Sequence, residues 1–166
     1  MPTRDVRKMK PLELVKFSLR VLRRTPASRM RRASWFRPAL RLERLLKKAN
    51  ILYSSHGRRA DVDKYFRFIF RHRKDCFACA VGCVLLADGR EAAQKWEIGQ
   101  GMGEFRVKTF SKFATQFFKG MSHEFESNSL VARVPTPPPS QISTAAGRRA
   151  AIAYAEAELK KRQQRR

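Results

Sequence analysis

Acidic residues are scarce in this chain: 14 Asp or Glu stand against 37 Lys or Arg in 166 residues, a formal charge of +23. That shortage excludes neutralisation within the chain. A fold with such an excess repels itself unless a polyanion shares the charge. Long apolar runs are also missing. The longest strongly apolar, uncharged stretch is Cys76 to Ala87, 12 residues, short of the ~20 that a membrane-spanning helix needs. No transmembrane segment is expected, and no secretory apolar core follows the N-terminus. The three cysteines all fall between Cys76 and Cys83. An odd set in one stretch speaks against a disulfide framework and for a reducing compartment or simple burial.

Catalytic patterns are absent as well. His56, His72 and His123 are scattered over different stretches, and no nucleophile–base arrangement can be assembled from them. The three alternating glycines of GQGMG, Gly99 to Gly103, lack the strand and companion residues of a phosphate loop, so a corner between helices is expected there. We expect no enzymatic activity, no cofactor and no small-molecule substrate.

What is present is charge, unevenly placed. Met1 to Lys74 hold 23 basic and 5 acidic residues, Asp75 to Pro139 hold 7 of each, and Ser140 to Arg166 hold 7 basic and 2 acidic. A neutral middle thus carries two cationic arms, the N-terminal one larger. Along the chain, Pro11 suits a helix start, and an amphipathic stretch with Leu12, Val15, Leu19 and Leu22 on one face runs to Thr25-Pro26, where proline stops it. ASRMRRAS reads as a basic connector. Ser34 is the expected cap of a second helix, WFRPALRLERLLKKAN, ended by Asn50 or the SSHG that follows, with Trp35 and Phe36 read as core before base-stacking. REAAQKWEI reads as a short fourth helix and EFRVKTFSKFATQFFKG as a fifth, marked by Val107, Phe110, Phe113 or Ala114, Phe117 and Met121, with helix preferred over a strand at Phe105 to Thr109. VPTPPPS is a stiff spacer, and STAAGRRAAIAYAEAELKKRQQRR an Ala-rich basic helix with a thin apolar face, expected to dock elsewhere. We expect both basic tails to be disordered when free and to order on assembly.

The central expectation is one long third helix, Asp61 to Ala87, capped by Asp61 and closed by Gly89 in the left-handed region. Tyr65, Ile69, His72, Cys76, Cys79, Cys83 and Leu86 recur at steps of 4, 3, 4, 3, 4 and 3, one helical face over several turns. His72 and the cysteines supply four possible metal ligands. On a continuous helix, however, Cys76 and Cys83 lie ~10 Å apart along the axis, while tetrahedral zinc needs sulfurs roughly 4 Å apart. Small-residue packing is the reading preferred over a metal site or redox chemistry. The fold class is all-α: a small bundle of about four to five helices with a long central helix. Its divisions are a basic arm over 1–33, a helical core over 34–133, a Pro-rich linker over 134–141 and a basic helix over 142–166.

The RNA-contacting set expected from this pattern is Arg20, Arg23, Arg24, Arg29, Arg31, Arg32, Arg37, Arg41, Arg44, Lys47, Lys48, Arg58, Arg59, Arg67, Arg71, Arg73, Lys74, Arg148 and Arg149. Arginine predominates early, and guanidinium groups both fork onto phosphate and stack on bases. No helix-turn-helix, zinc-finger, RRM or KH pattern accompanies them. In its charge, its tails, its Pro-rich spacer and an Arg-rich N-terminus of the kind that addresses mitochondria, the chain resembles accessory proteins of mitochondrial ribosomes. The resemblance implies a structural subunit in the mitochondrial matrix, bound to ribosomal RNA and neighbouring ribosomal proteins. Two other readings stand beside it: a helical subunit or assembly factor of a mitochondrial inner-membrane complex, using its basic arm on anionic lipid or acidic protein, and an RNA-modifying or redox enzyme using the cysteines.

Overall fold

The apolar end of the expected long helix is a short helix of its own. In a computed structural model, which describes residues 5–32, 36–51, 59–101, 109–129 and 144–165 (backbone only at 59–60 and 98–101), seven α-helices and one two-stranded sheet are seen among the described residues. The chain is broadly all-α, with more helices than expected. They are α1 (Pro11–Arg24), α2 (Leu40–Lys48), α3 (Arg59–Arg71), α4 (Ala80–Asp88), α5 (Arg90–Gly101), α6 (Lys112–Asn128) and α7 (Ala145–Gln164), with strands β1 (Arg37–Pro38) and β2 (Cys76–Phe77).

The single helix over Asp61 to Ala87 is therefore corrected to two. After α3, Arg73–Asp75 make one 3₁₀ turn, β2 pairs antiparallel with β1, and Cys79 becomes the cap of α4, its sulfur accepting from the Gly82 N–H. The local spacing is helical. Pairing with a segment about forty residues earlier overrides it, because tertiary hydrogen bonds outweigh the few tenths of a kcal/mol per residue that propensity contributes. Pro38 sets up that segment: residues before proline avoid the α region, so the chain is extended at Arg37–Pro38 and α2 starts only at Leu40, behind Ala39 rather than Ser34. Asn50, at a φ of 52°, adopts the left-handed conformation just beyond α2, which asparagine tolerates better than most residues. Gly89 is extended rather than left-handed, and α5 follows it at once. Asp61 lies in the first turn of α3 instead of capping it. The Pro-rich spacer falls outside the described residues.

α4 has no polar face. Ala80, Val81, Gly82, Cys83, Val84, Leu85 and Leu86 are all buried, the mark of a helix enclosed on every side. α1, α5 and α6 pack against it, α3 packs on α5, and α7 lies across α1 and α6. The apolar face of α1, with Leu14, Val15, Leu19 and Leu22, is core. Trp96, Phe110 and Phe118 form an edge-on cluster with centroids 5.4 to 6.2 Å apart, geometry favoured by ring quadrupoles. Both basic tails thus have ordered, packed helices within this chain, and α7 docks on its own core.

Two details fix the ends. The thin face of α7 works because it is small. A Cβ at Gly147 would collide with the Ser129 hydroxyl and the Phe125 carbonyl, and one at Gly120 with the Tyr154 ring. At the other end the 5–8 turn tucks onto the α4–α5 junction: Val6 is fully buried, its N–H donates to Asp88 at 3.2 Å, and Arg7 bridges Asp5 and Glu91 at 2.8 and 2.9 Å. Burial pushes the Asp88 carboxyl up to about 6.

Gly147→Ala is expected to lower stability by roughly 1–3 kcal/mol through overpacking, read as a shifted denaturant midpoint. Because the folded chain holds a proton on Asp88 that the unfolded chain releases nearer 4, the Asp88 contribution to stability falls as pH rises from about 4 to 6. Denaturation midpoints measured across that window should slope downward in the wild type and flatten in Asp88→Asn. Asp5, held low by Arg7, titrates below it.

Candidate nucleic-acid interface

Three extended segments meet at the break between α3 and α4. β2 lies between β1, paired Arg37 to Phe77 and Pro38 to Cys76, and the 29–31 segment, where Arg31 N–H donates to the Ala78 carbonyl at 3.0 Å and Ala78 N–H to the Arg29 carbonyl at 3.3 Å. Ala39 N–H donates to the Asp75 carbonyl at 2.8 Å, tying the start of α2 to the 3₁₀ turn. The backbone therefore brings the basic stretch 71–74 beside two earlier ones, 29–32 and 37–48.

Around this knot, Arg29, Arg32, Arg37, Arg41, Arg44, Lys47, Lys48, Arg67, Arg71, Arg73 and Lys74 are exposed, as are Arg20, Arg23 and Arg24 at the end of α1 and Arg149 on α7. Arg31 is half-buried. Arg58 lies outside the described residues, and Arg59 opens α3. The group divides by what its members already hold. Arg20, Arg24, Arg37, Arg41, Arg44, Lys47, Lys48, Arg67, Arg71, Lys74 and Arg149 make no side-chain hydrogen bond or ion pair among the described residues. Arg23 pairs with Glu156 at 2.8 Å and Arg32 with Glu126 at 3.3 Å. Arg73 donates to the Leu86 carbonyl at 3.0 Å, at the end of α4, and Arg29 to the Cys76 carbonyl at 3.5 Å.

Arg148 differs from the rest. Its Nε donates to the Thr25 carbonyl at 2.8 Å and its Nη2 to the Arg23 carbonyl at 3.1 Å, where the last turn of α1 leaves acceptors unpaired. Thr144 adds a bond from its hydroxyl to the Ala27 carbonyl at 2.7 Å. Arg148 is a clasp between the two ends of the chain, while its neighbour Arg149 faces solvent.

The aromatic–basic alternation of α3 resolves into core and surface. Tyr65 and Phe66 are buried, with Phe36 against both at 6.2 and 6.0 Å, so Phe36 packs with the core; Trp35 lies outside the described residues. The aromatic of this basic surface that sequence reading missed is Phe77. The Arg31 guanidinium carbon lies over its ring, 4.1 Å from the centroid, with Nη1 donating to the Ser28 and Met30 carbonyls at 3.0 and 2.8 Å. Only the break in the helix brings these residues together. Lys10 and Lys16 were missed too. With Arg20, Arg23 and Glu13 they rim a groove of about 560 Å³ floored by Leu12, Leu19 and Leu159. The one-turn spacing of Lys16 and Arg20 on α1 was the available signal.

The cysteines are sealed off. Burial pushes the Cys76 and Cys83 thiols up to about 12 and Cys79 to about 11, so each stays protonated at neutral pH, whereas thiolate is the reactive and metal-binding form. Among the described residues no three His, Cys, Asp or Glu side chains converge as a metal site would require. None of the described helices is long and apolar enough to cross a membrane. Compared with protein-family models, curated proteins and solved structures, the chain matches none.

Arg148→Ala is expected to cost about 1–3 kcal/mol of stability, since it strips a charged donor from two carbonyls. Arg24→Ala and Arg149→Ala should stay within about 0.5 kcal/mol. Chemical denaturation of the three variants separates the clasp from the surface cations.

Proposed function

We propose that this protein is a structural RNA-binding subunit of a ribosome, in the mitochondrial matrix, that holds ribosomal RNA through its exposed arginines and lysines and has no catalytic role. The observation that carries the reading is the set of exposed cations around the extended knot, Arg37, Arg41, Arg44, Lys47, Lys48, Arg67, Arg71 and Lys74, which have no acidic partner among the described residues. Cations without acidic partners are solvated charges awaiting phosphate, and release of condensed counterions supplies the affinity. Phosphate contacts of this kind position a protein on RNA without reading sequence, which suits a subunit whose site is defined by the surrounding assembly. Neighbouring ribosomal proteins complete that setting. Mitochondrial placement rests on the Arg-rich amphipathic N-terminus. Since the apolar face of α1 is core, that address operates without removal of α1.

A second reading, a subunit or assembly factor of a mitochondrial inner-membrane complex, has one observation in its favour. The groove between α1 and α7 combines a leucine floor with Lys10, Lys16, Arg20 and Arg23 at its rim, a combination that suits an anionic amphiphile.

Sedimentation of the full chain from mitochondrial extract tests both. Migration with a large ribonucleoprotein that RNase abolishes is the expected result; detergent-sensitive, RNase-resistant migration would replace it with the second reading. With purified protein, affinity for structured RNA should fall by roughly 10³–10⁵ between 50 and 200 mM salt if six to ten phosphates are engaged. A flat salt response would sink the phosphate account.

A further inference from the structure

One corner of the basic surface is built for more than phosphate. Between β1, the start of α2 and Phe77 lies an open cleft of about 270 Å³, walled by Arg31, Arg37, Pro38, Leu40, Glu43 and Phe77. It is smaller than the ~300–1,000 Å³ of sites for drug-sized ligands, and closer to the scale of a single planar group. Its features agree on one occupant. The Arg31 guanidinium lies 4.1 Å over the Phe77 ring and is held there through hydrogen bonds to the Ser28 and Met30 carbonyls, so it is a fixed plane that keeps its charge. Leu40, 62% exposed, is the large apolar residue that the described surface leaves most open to solvent, and it stands at the same cleft. Glu43 shares the wall, and its carboxylate makes no hydrogen bond or ion pair among the described residues. Arg37, exposed, borders it.

We infer that this cleft receives one unpaired base of the RNA, guanine in preference to the others, an inference that rests on the RNA-binding reading above. The base stacks on the Arg31–Phe77 pair, as bases splayed from loops and bulges do on arginine planes and aromatic rings. Leu40 and Pro38 cover its apolar face, and Arg37 holds the adjoining phosphate. Glu43 supplies the preference. Its carboxylate is acceptor-only, and guanine offers two adjacent N–H donors, N1 and N2, on its Watson–Crick edge. Adenine, cytosine and uracil each place an acceptor beside the donor and so meet the carboxylate with repulsion.

The test uses the full chain and five hairpin RNAs, four differing only in one bulged nucleotide and one fully paired. The bulged-G hairpin is expected to bind roughly 10-fold more tightly than the other three. Glu43→Gln, a surface isostere that leaves the fold intact, should bring bulged G to within about twofold of the others. Phe77→Leu should weaken all four bulged hairpins by roughly 10-fold and leave the paired hairpin unchanged. Equal binding of all five hairpins, insensitive to Glu43→Gln, overturns the cleft while leaving the phosphate reading standing. Absence of binding to any hairpin by the wild type overturns both.

Discussion

A helix with no solvent face sets the terms for this molecule. α4 buries every residue from Ala80 to Leu86, so each direction away from its axis must be closed by another element. A single amphipathic helix covers one direction only; α1, α5 and α6 together cover the rest. Each then needs backing on its outer side, which α3 gives to α5 and which α7 gives to α1 and α6. The neutral middle of the sequence forms the centre because that centre admits no charge. The cations are left on the outer surfaces of the helices and connectors that surround it. Charge segregation along the sequence becomes radial segregation in space.

The same requirement places the cationic surface. A continuous helix from α3 into α4 would carry the basic residues of α3 straight away from the core. The break at His72 to Cys79 folds them back instead, and three short extended segments hydrogen-bond across the gap. Extended backbone leaves polar groups that need partners, and here the partners belong to the most basic stretches of the chain. A local solution to backbone hydrogen bonding thereby joins segments about forty residues apart into one cationic surface.

How much of this could be read from the sequence depends on whether a decision was local. The start of α1 at Pro11, its stop at Thr25-Pro26 and the helical character of α6 and α7 follow from turn chemistry and periodicity within a few residues. The break between α3 and α4 was not legible, because the helical spacing of Tyr65 to Leu86 is intact and its loss is imposed by Arg37–Pro38 from a distance. Ala151, Ala155 and Gly147 in α7 are visible as small residues, yet only the packed structure says that they admit α1 and α6. Arg148 and Arg149 are indistinguishable on the page. One residue of helical rotation makes the first a clasp and the second a surface charge. Exposure of the cations was legible; their partners were not.

The antiparallel meeting of α1 and α7 has a consequence for how the chain is made. Arg148 bonds to Thr25 across 123 positions, and Glu156 pairs with Arg23 across 133. Synthesis releases α1 before the other described helices and α7 after them, so the outer backing of α1 is missing until α7 emerges. Segments of a domain can assemble as they emerge, but closure here waits for α7, and contacts between distant positions are slow to form. A nascent chain truncated before Thr144 carries the arginines of α1 and of the 29–48 stretch without the helix that completes their support. α7 thus locks a helix made more than a hundred residues before it, so shape is a late event relative to the synthesis of α1, and loss of α7 removes the clasp on Thr25 and Arg23.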